Sequence, residues 1–259
     1  MPVAVSPGGA WVYYYYPATS KPQCPPEGFV EPRLWRVRVT GGRPERADIR
    51  TTDLAFSPDG KMMAYTSEQN CGQTLLIVVR DQQTGATRRI IAAHNDLSGN
   101  GVIAYAELSW APDDVHLAVA TEAAAAINTL VVIDARRAKD ITRSQPIPPC
   151  ASPAAPAQVG CLNPSFDVHG RLTFLDWLQA PSRSGEWAVR WRNGHATRLL
   201  KLNRAAAFSA GIAVDRTGNA ILLEGYGHDD IWRWYKGSLT IIRRSSRRLG
   251  LTNPLWLLR

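Results

Sequence analysis

The sequence predicts an all-β fold built from five copies of one unit. In each copy an apolar strand leads through a tight turn into a second apolar strand, and two further strands follow. No stretch has the pattern of a long amphipathic helix, and the helix-favouring segment 123–126 is too short to be stable alone. The last turn residue of each copy recurs about every 50 residues, which is typical of repeats made of small sheets. These positions are Gly9, Gly60, Asp114, Gly170 and Gly218.

The second copy shows its four predicted strands most clearly. Two strands flank the turn Ser57-Pro58-Asp59-Gly60, and two more, over 74–80 and 87–91, flank a turn at Gly85. Asn193-Gly194 marks the corresponding hairpin of the fourth copy, because a positive φ is easily adopted there. The third strands of the other copies are predicted over 34–39, 129–133, 187–191 and 231–235, and the fourth strands of the last three copies over 140–143, 197–201 and 239–243.

A small sheet that is apolar on both faces cannot bury itself. Stacking the sheets radially around a common axis lets each one cover its neighbour. We therefore predict a single β-propeller domain of four-stranded antiparallel blades, five in number, or six or seven if further sequence precedes this chain. The predicted blades span 1–50, 51–104, 105–158, 159–207 and 208–248, and 249–259 forms a closing tail.

The turn Ser57-Pro58-Asp59-Gly60, followed by an apolar strand, resembles the turn that joins the innermost strand to the second strand in TolB-type, WD-repeat-like β-propellers. Segments 6–9 and 111–114 are near copies of it, and 167–170 and 215–218 are degenerate ones. The resemblance covers nearly the whole chain. It implies the fold but little about function, because propellers include scaffolds, binders, lyases and glycosidases.

Composition restricts the possible partners. The formal net charge is +8, and the densest basic run is Arg243-Arg244-Ser245-Ser246-Arg247-Arg248. Such a run allows binding to nucleic acid or another anionic polymer. The nearby aromatic residues Trp232 and Trp234 have β spacing, which predicts packing between blades, so we do not expect a nucleic-acid partner.

Membrane segments, metals and cofactors are not predicted. The longest apolar stretch, 123–135, is shorter than the ~20 residues that a membrane helix needs. No signal peptide, with a charged segment followed by an apolar one, precedes Val3. Because the first strand begins directly after Met1-Pro2, an upstream leader or anchor is the alternative. Neither a Cys-x-x-Cys spacing nor a phosphate-binding glycine loop occurs.

The four cysteines are predicted at one end of the propeller. Strand polarity puts the connections between second and third strands, and those between consecutive blades, at the same end, which we call the long-loop face; the tight turns lie on the opposite, short-turn face. Cys24 and Cys71 occupy such connections in blades one and two, and Cys150 and Cys161 lie between blades three and four. We predict the disulfides Cys24–Cys71 and Cys150–Cys161, and hence an oxidising compartment, with unpaired thiols in the cytoplasm as the alternative.

Four carboxylates recur at equivalent places in blades two and three. Asp53 and Glu107 are predicted to precede the first strands, and Glu68 and Glu122 to end the second strands, so that all four lie near the long-loop face. One interpretation is an acidic site for a cation or for acid–base catalysis, as in glycosidases with paired carboxylates. The other is a set of solvated charges or caps for loop amides. No Gly-x-Ser-x-Gly motif points to a serine nucleophile.

The long-loop face also carries the polar residues that are candidates for ligand binding. Long loops on a rigid scaffold are the usual place for such sites. The candidates are Asn70, Asn95, Asp96, Asn100, His228 and Asp229. The remaining histidines are interpreted as structural or exposed.

We predict a non-catalytic binding module that acts outside the cytoplasm. It would be a monomer that uses the long-loop face to bind a protein or another component of the cell envelope. The alternatives are a carbohydrate-active or other hydrolase with carboxylates at the channel mouth, and a basic binder of nucleic acid or anionic polymers.

Overall fold

The computed structural model describes residues 2–15, 33–69, 74–94, 105–122, 129–150, 158–180, 183–202, 209–215, 218–225 and 231–243. Apart from two short 3-10 turns (Pro7–Gly9 and Pro148–Cys150), the regular elements of these residues are β-strands. The predicted all-β fold is therefore confirmed. Within this part of the chain, no helix has the length and apolar character that crossing a bilayer requires.

The strands form five antiparallel sheets in chain order. Sheet one contains β1 (Pro2–Val5), β2 (Trp11–Tyr15), β3 (Arg33–Arg38) and β4 (Glu45–Arg50). Sheet two contains β5 (Leu54–Phe56), β6 (Met62–Gln69), β7 (Thr74–Asp81) and β8 (Thr87–His94), and sheet three β9 (Tyr105–Trp110), β10 (His116–Glu122) and β11 (Thr129–Asp134). Sheet four contains β12 (Gln158–Phe166), β13 (Leu172–Ala180), β14 (Arg183–Arg192) and β15 (His195–Leu202), and sheet five β16 (Ser209–Val214), β17 (Ala220–Gly225), β18 (Ile231–Tyr235) and β19 (Ser238–Arg243).

Equivalent turns join the first and second strands of all five sheets. The residue at each predicted turn end has a positive φ, between 58° at Asp114 and 74° at Gly60. Each also donates its backbone N–H to the carbonyl three residues earlier, as Gly60 does to Ser57 at 2.9 Å. Asp114 is the one non-glycine residue among them. Its Oδ1 accepts a hydrogen bond from the backbone N–H of Asp59 at 2.9 Å, which links the turns of sheets two and three.

Sheet three departs from the prediction at its outer edge. The prediction of a fourth antiparallel strand over 140–143 is wrong, because Asp140 forms an isolated parallel bridge with Ile91 on β8. The Ile91 N–H donates to the Lys139 carbonyl at 3.0 Å, and the Ile141 N–H donates back to the Ile91 carbonyl at 2.9 Å. The segment after β11 therefore extends the outer edge of sheet two, and Ile141 is buried in the core between sheets two and three.

The hydrophobic core is divided among the boundaries between consecutive sheets, here called seams. The first strands of consecutive sheets contact each other in the order β1, β5, β9, β12 and β16. Alternating side chains of each sheet fill the seams on its two sides, as expected for stacked β-sheets. On β10, Leu117 and Val119 face sheet two, whereas Ala118 and Ala120 face sheet four.

Candidate functional site

Asp53, the first of the predicted carboxylates, lies directly before β5 and is directed at sheet three. Its Oδ2 accepts a hydrogen bond from the backbone N–H of Leu108 on β9 at 2.6 Å. Its own backbone N–H lies 3.1 Å from the hydroxyl oxygens of Thr51 and Thr66, both fully buried. Burial raises the pKa of Asp53 to about 7, against the opposing effect of hydrogen bonds from the backbones of Leu108 and Leu54. The carboxylate thus connects the inner strands of two sheets.

Glu107 repeats this arrangement one sheet further on. It lies within β9 rather than before it, and its carboxylate accepts a hydrogen bond from the backbone N–H of Asn163 on β12. Its neighbours Ala106 and Leu108 pack in the seam between sheets two and three, so Glu107 faces sheet four. Asp53 and Glu107 therefore point into different seams.

Glu68 shares a face of sheet two with Asp53. On β6 it has the same parity as Ala64 and Thr66, and Ala64 packs against sheet three. Burial raises the pKa of the Glu68 carboxyl to about 7. The backbone of Glu122 ends β10 opposite Tyr105, as predicted, and its side chain lies outside the described part of the structure.

The loop residues proposed as ligand-binding candidates lie outside the described residues: Asn70, Asn95, Asp96, Asn100, His228 and Asp229. Cys24 and Cys71 lie outside them as well, so their disulfide stays a prediction. In the described stretches, histidine, cysteine, aspartate and glutamate side chains do not assemble into a group of three or more that could hold a metal ion.

The disulfide between Cys150 and Cys161 is present, with the two Cα atoms 5.7 Å apart. Cys161 lies in β12, however, and not in the loop where we placed it. Both residues are fully buried in the core between sheets three and four. Because the Ile147 N–H also donates to the Leu130 carbonyl on β11 at 2.9 Å, the disulfide ties a segment held by sheet three to the first strand of sheet four.

Two serines that the sequence reasoning missed act like the carboxylates. The Ser109 hydroxyl oxygen accepts a hydrogen bond from the Phe166 backbone N–H at 3.1 Å, and that of Ser165 accepts one from Val214 at 3.3 Å. The two serines occupy the same position relative to the turn ends of their copies, and this shared position is the signal that could have revealed them. At the equivalent position of sheet two stands Ala55, whose carbonyl accepts from the indole N–H of Trp110 at 3.1 Å.

A cleft of about 510 Å³ opens on the short-turn face between sheets three and four. His116 lines it, with its Nδ1 atom 2.6 Å from Oδ2 of Asp113. Although partial burial acts to raise the pKa of Asp113, hydrogen bonds from the backbone and ring of His116 hold it below its usual value. The carboxylate therefore orients the imidazole ring beside the aromatic walls formed by Phe166 and Trp191. From the sequence His116 was interpreted as structural or exposed, and the spacing of Asp113 and His116 within a turn is the signal that could have revealed the pair.

Comparisons with known proteins reveal a likeness in fold. No protein-family model matches the chain. No curated protein matches it either. Among solved structures it is similar to TolB from Acinetobacter baumannii, at 13% identity and a TM-score of 0.61, over 95% of this chain and 54% of that one.

Two further solved structures extend this likeness. The β-propeller domain of the Trilobed protease from Pyrococcus furiosus, which has an open velcro topology, matches at 15% identity and a TM-score of 0.51, over 93% of this chain and 69% of its own. An oligogalacturonate lyase in complex with manganese matches at 10% identity and a TM-score of 0.57, over 93% of this chain and 63% of its own. The chain thus spans little more than half of TolB and about two thirds of the other two. At these identities the likeness concerns the fold alone, and this chain has the fold of TolB-like and WD-like β-propellers.

Proposed function

We propose that this protein is a non-catalytic binding module whose long-loop face binds a protein or another component of the cell envelope. The proposal rests on the hydrogen bonds of Asp53 and Glu107, the two carboxylates directly before β5 and within β9. Each accepts a hydrogen bond from a backbone N–H of the next sheet. Acids used in this way hold the inner strands together, and the scaffold then presents its loops for binding.

The finer architecture belongs to the same proposal. The five sheets would be the blades of one five-bladed, monomeric propeller over 1–259, with 249–259 as a closing tail. The order of contacts among β1, β5, β9, β12 and β16 supports an arrangement around one axis. The ligand would contact the loop candidates Asn70, Asn95, Asp96, Asn100, His228 and Asp229.

The compartment is proposed to be extracytoplasmic. The disulfide Cys150–Cys161 supports this, because disulfides persist in oxidising compartments and are rare in the cytosol.

A hydrolase is the second candidate, favoured by the two carboxyls on one face of sheet two. Burial raises the pKa of both Asp53 and Glu68 to about 7, the range in which a carboxyl can act as an acid or a base at neutral pH. This candidate function predicts that D53N and E68Q variants fold but lose turnover of a polysaccharide substrate.

Site-specific photo-crosslinking tests the binding proposal. A photoreactive residue at His94, exposed at the long-loop end of β8, is compared with one at Asn193, exposed in a tight turn of the short-turn face. Both proteins are incubated with a detergent-solubilised envelope extract of the source organism. We expect a discrete crosslinked product from position 94 and none from position 193.

The captured partner is then purified and titrated with variants. H94E should weaken binding at least tenfold, whereas N193E, the matched control on the opposite face, should leave it unchanged. Equal crosslinking from both positions, or equal loss of affinity in both variants, would contradict a ligand on the long-loop face.

A further inference from the structure

Three arginines converge on one face of the outer strands of sheet one. Arg33 on β3 is directly opposite Arg50 on β4, and Arg46 is directly opposite Trp35. Directly paired residues share a face of a sheet, and residues two apart on a strand share it as well. A register shift lies between these two pairs, but Leu34 on β3 and Ala47 and Ile49 on β4 pack in the core between sheets one and two. Arg33, Arg46 and Arg50 alternate with these residues and therefore lie on the opposite face of sheet one.

On the other face of β3, the guanidinium group of Arg36 has partners. Arg36 donates two hydrogen bonds to Oε2 of Glu45, at 3.0 and 3.2 Å, and its guanidinium carbon lies 4.5 Å from the ring centroid of Trp11. In contrast, no ion pair among the described residues involves Arg33, Arg46 or Arg50.

Mutual repulsion is the main electrostatic influence within this cluster. The charge of Arg46, followed by partial burial and the charge of Arg50, lowers the pKa of Arg33, and Asp48 opposes them only in part. Like charges directly opposite each other destabilise a β-sheet. A bound anion between the guanidinium groups would remove this repulsion.

We propose that Arg33, Arg46 and Arg50 form a binding site for a phosphate group. With Asp48 counted, the cluster carries two net positive charges, which match the charge of a phosphate monoester at neutral pH, about −1.5 to −2. Guanidinium groups bind phosphate through paired N–H donors, more specifically than an ammonium group can. Arg33 begins β3 and Arg50 ends β4, so the site lies at the long-loop end of sheet one.

Phosphorus NMR and calorimetric titration with inorganic phosphate test this site. The double variant R33Q/R50Q is compared with R88Q/R89Q, which removes two exposed arginines from the corresponding outer strand of sheet two. At constant ionic strength, we expect phosphate to bind the wild type and R88Q/R89Q with the same affinity. Affinity for R33Q/R50Q should be at least tenfold weaker.

Thermal unfolding distinguishes specific binding of phosphate at this site from nonspecific attraction of phosphate to a basic protein. In chloride without phosphate, R33Q/R50Q should unfold at a temperature equal to or above that of the wild type, because the repulsive pair is gone. Phosphate should raise the unfolding temperature of the wild type and not that of R33Q/R50Q. Equal loss of phosphate binding in both double variants, or equal stabilisation of the wild type by phosphate and by chloride at the same ionic strength, would overturn the proposal.

Discussion

Oδ2 of Asp53 lies 2.6 Å from the backbone nitrogen of Leu108, on the first strand of the neighbouring sheet. The same type of bond joins Glu107 to Asn163, Ser109 to Phe166 and Ser165 to Val214. Side chains at one inner strand therefore accept hydrogen bonds from backbone amides of the next inner strand. Pairing between the strands of a single sheet leaves these amides without acceptors. These bonds connect sheets two, three, four and five through their inner strands.

Removing the Asp53 carboxylate should destabilise the protein. D53A leaves the Leu108 amide without its acceptor, and we expect a loss of about 1–3 kcal/mol in the free energy of unfolding. D53N keeps an acceptor oxygen and should lose less. The control is E45A, which removes an exposed ion pair with Arg36 and should change stability by less than about 1 kcal/mol. Urea unfolding measures all three, and equal losses in D53A and E45A would contradict the bond's role.

The raised pKa values of Asp53 and Glu68 predict that stability falls as the pH rises. Between the ordinary values of 3.8 and 4.5 and the folded values of about 7, the folded state holds protons that the unfolded state has released. Stability contributed by these groups is thus fully present below about pH 4 and is lost as the pH passes 7. One pKa unit corresponds to about 1.4 kcal/mol.

The measurement is urea unfolding at about pH 5 and pH 8. The wild type should be less stable at pH 8 by at least about 1 kcal/mol, and the D53N/E68Q variant should show a smaller difference. A wild type that is equally stable at both pH values would show that the two carboxyls are not held protonated by burial.

Gly60 should tolerate a side chain worse than Gly194, which has open space around it. Its φ is 74°, and a methyl group there would lie 2.8 Å from Cβ of Pro7 in the adjacent turn. Gly194 has a φ of 81° with no neighbouring atom within 4 Å, so G194A shows the backbone strain alone, about 1–2 kcal/mol. G60A should be destabilised by clearly more than G194A in thermal unfolding. Equal shifts would mean that the turns of sheets one and two do not pack as described.

The disulfide between Cys150 and Cys161 should contribute about 2–3 kcal/mol, because it closes a short loop in the unfolded chain. C150A/C161A should unfold at lower urea concentration by the corresponding amount. Mass spectrometry of the unreduced protein should find the peptides of Cys150 and Cys161 joined. Pairing of either cysteine with Cys24 or Cys71 would contradict this connectivity.

The sequence predicted local geometry better than contacts between distant strands. The turn ends at Gly60 and Asp114 follow from short-range patterns, because a positive φ and strand alternation are properties of a few neighbouring residues. The outer edge of sheet three was not predictable in this way. Segment 140–143 has a strand-like sequence, but whether it pairs with β11 or with Ile91 on β8 depends on which sheet edge lies closer in the fold. Ser109 and Ser165 escaped notice because a lone serine on a strand reveals no partner.

Amide hydrogen exchange at Leu108 tests the central claim, that inner-strand side chains hold neighbouring sheets together, most directly. In the wild type this amide should exchange slowly, and in D53A it should exchange at least tenfold faster. The amide of Ile77, in the centre of β7, is the reference, and the acceleration at Leu108 should exceed any acceleration there. The amide of Asn163 should respond in the same way to E107A. If Leu108 exchanges in D53A at the wild-type rate, or accelerates only as much as Ile77 does, the carboxylate does not join the two sheets and the account is wrong.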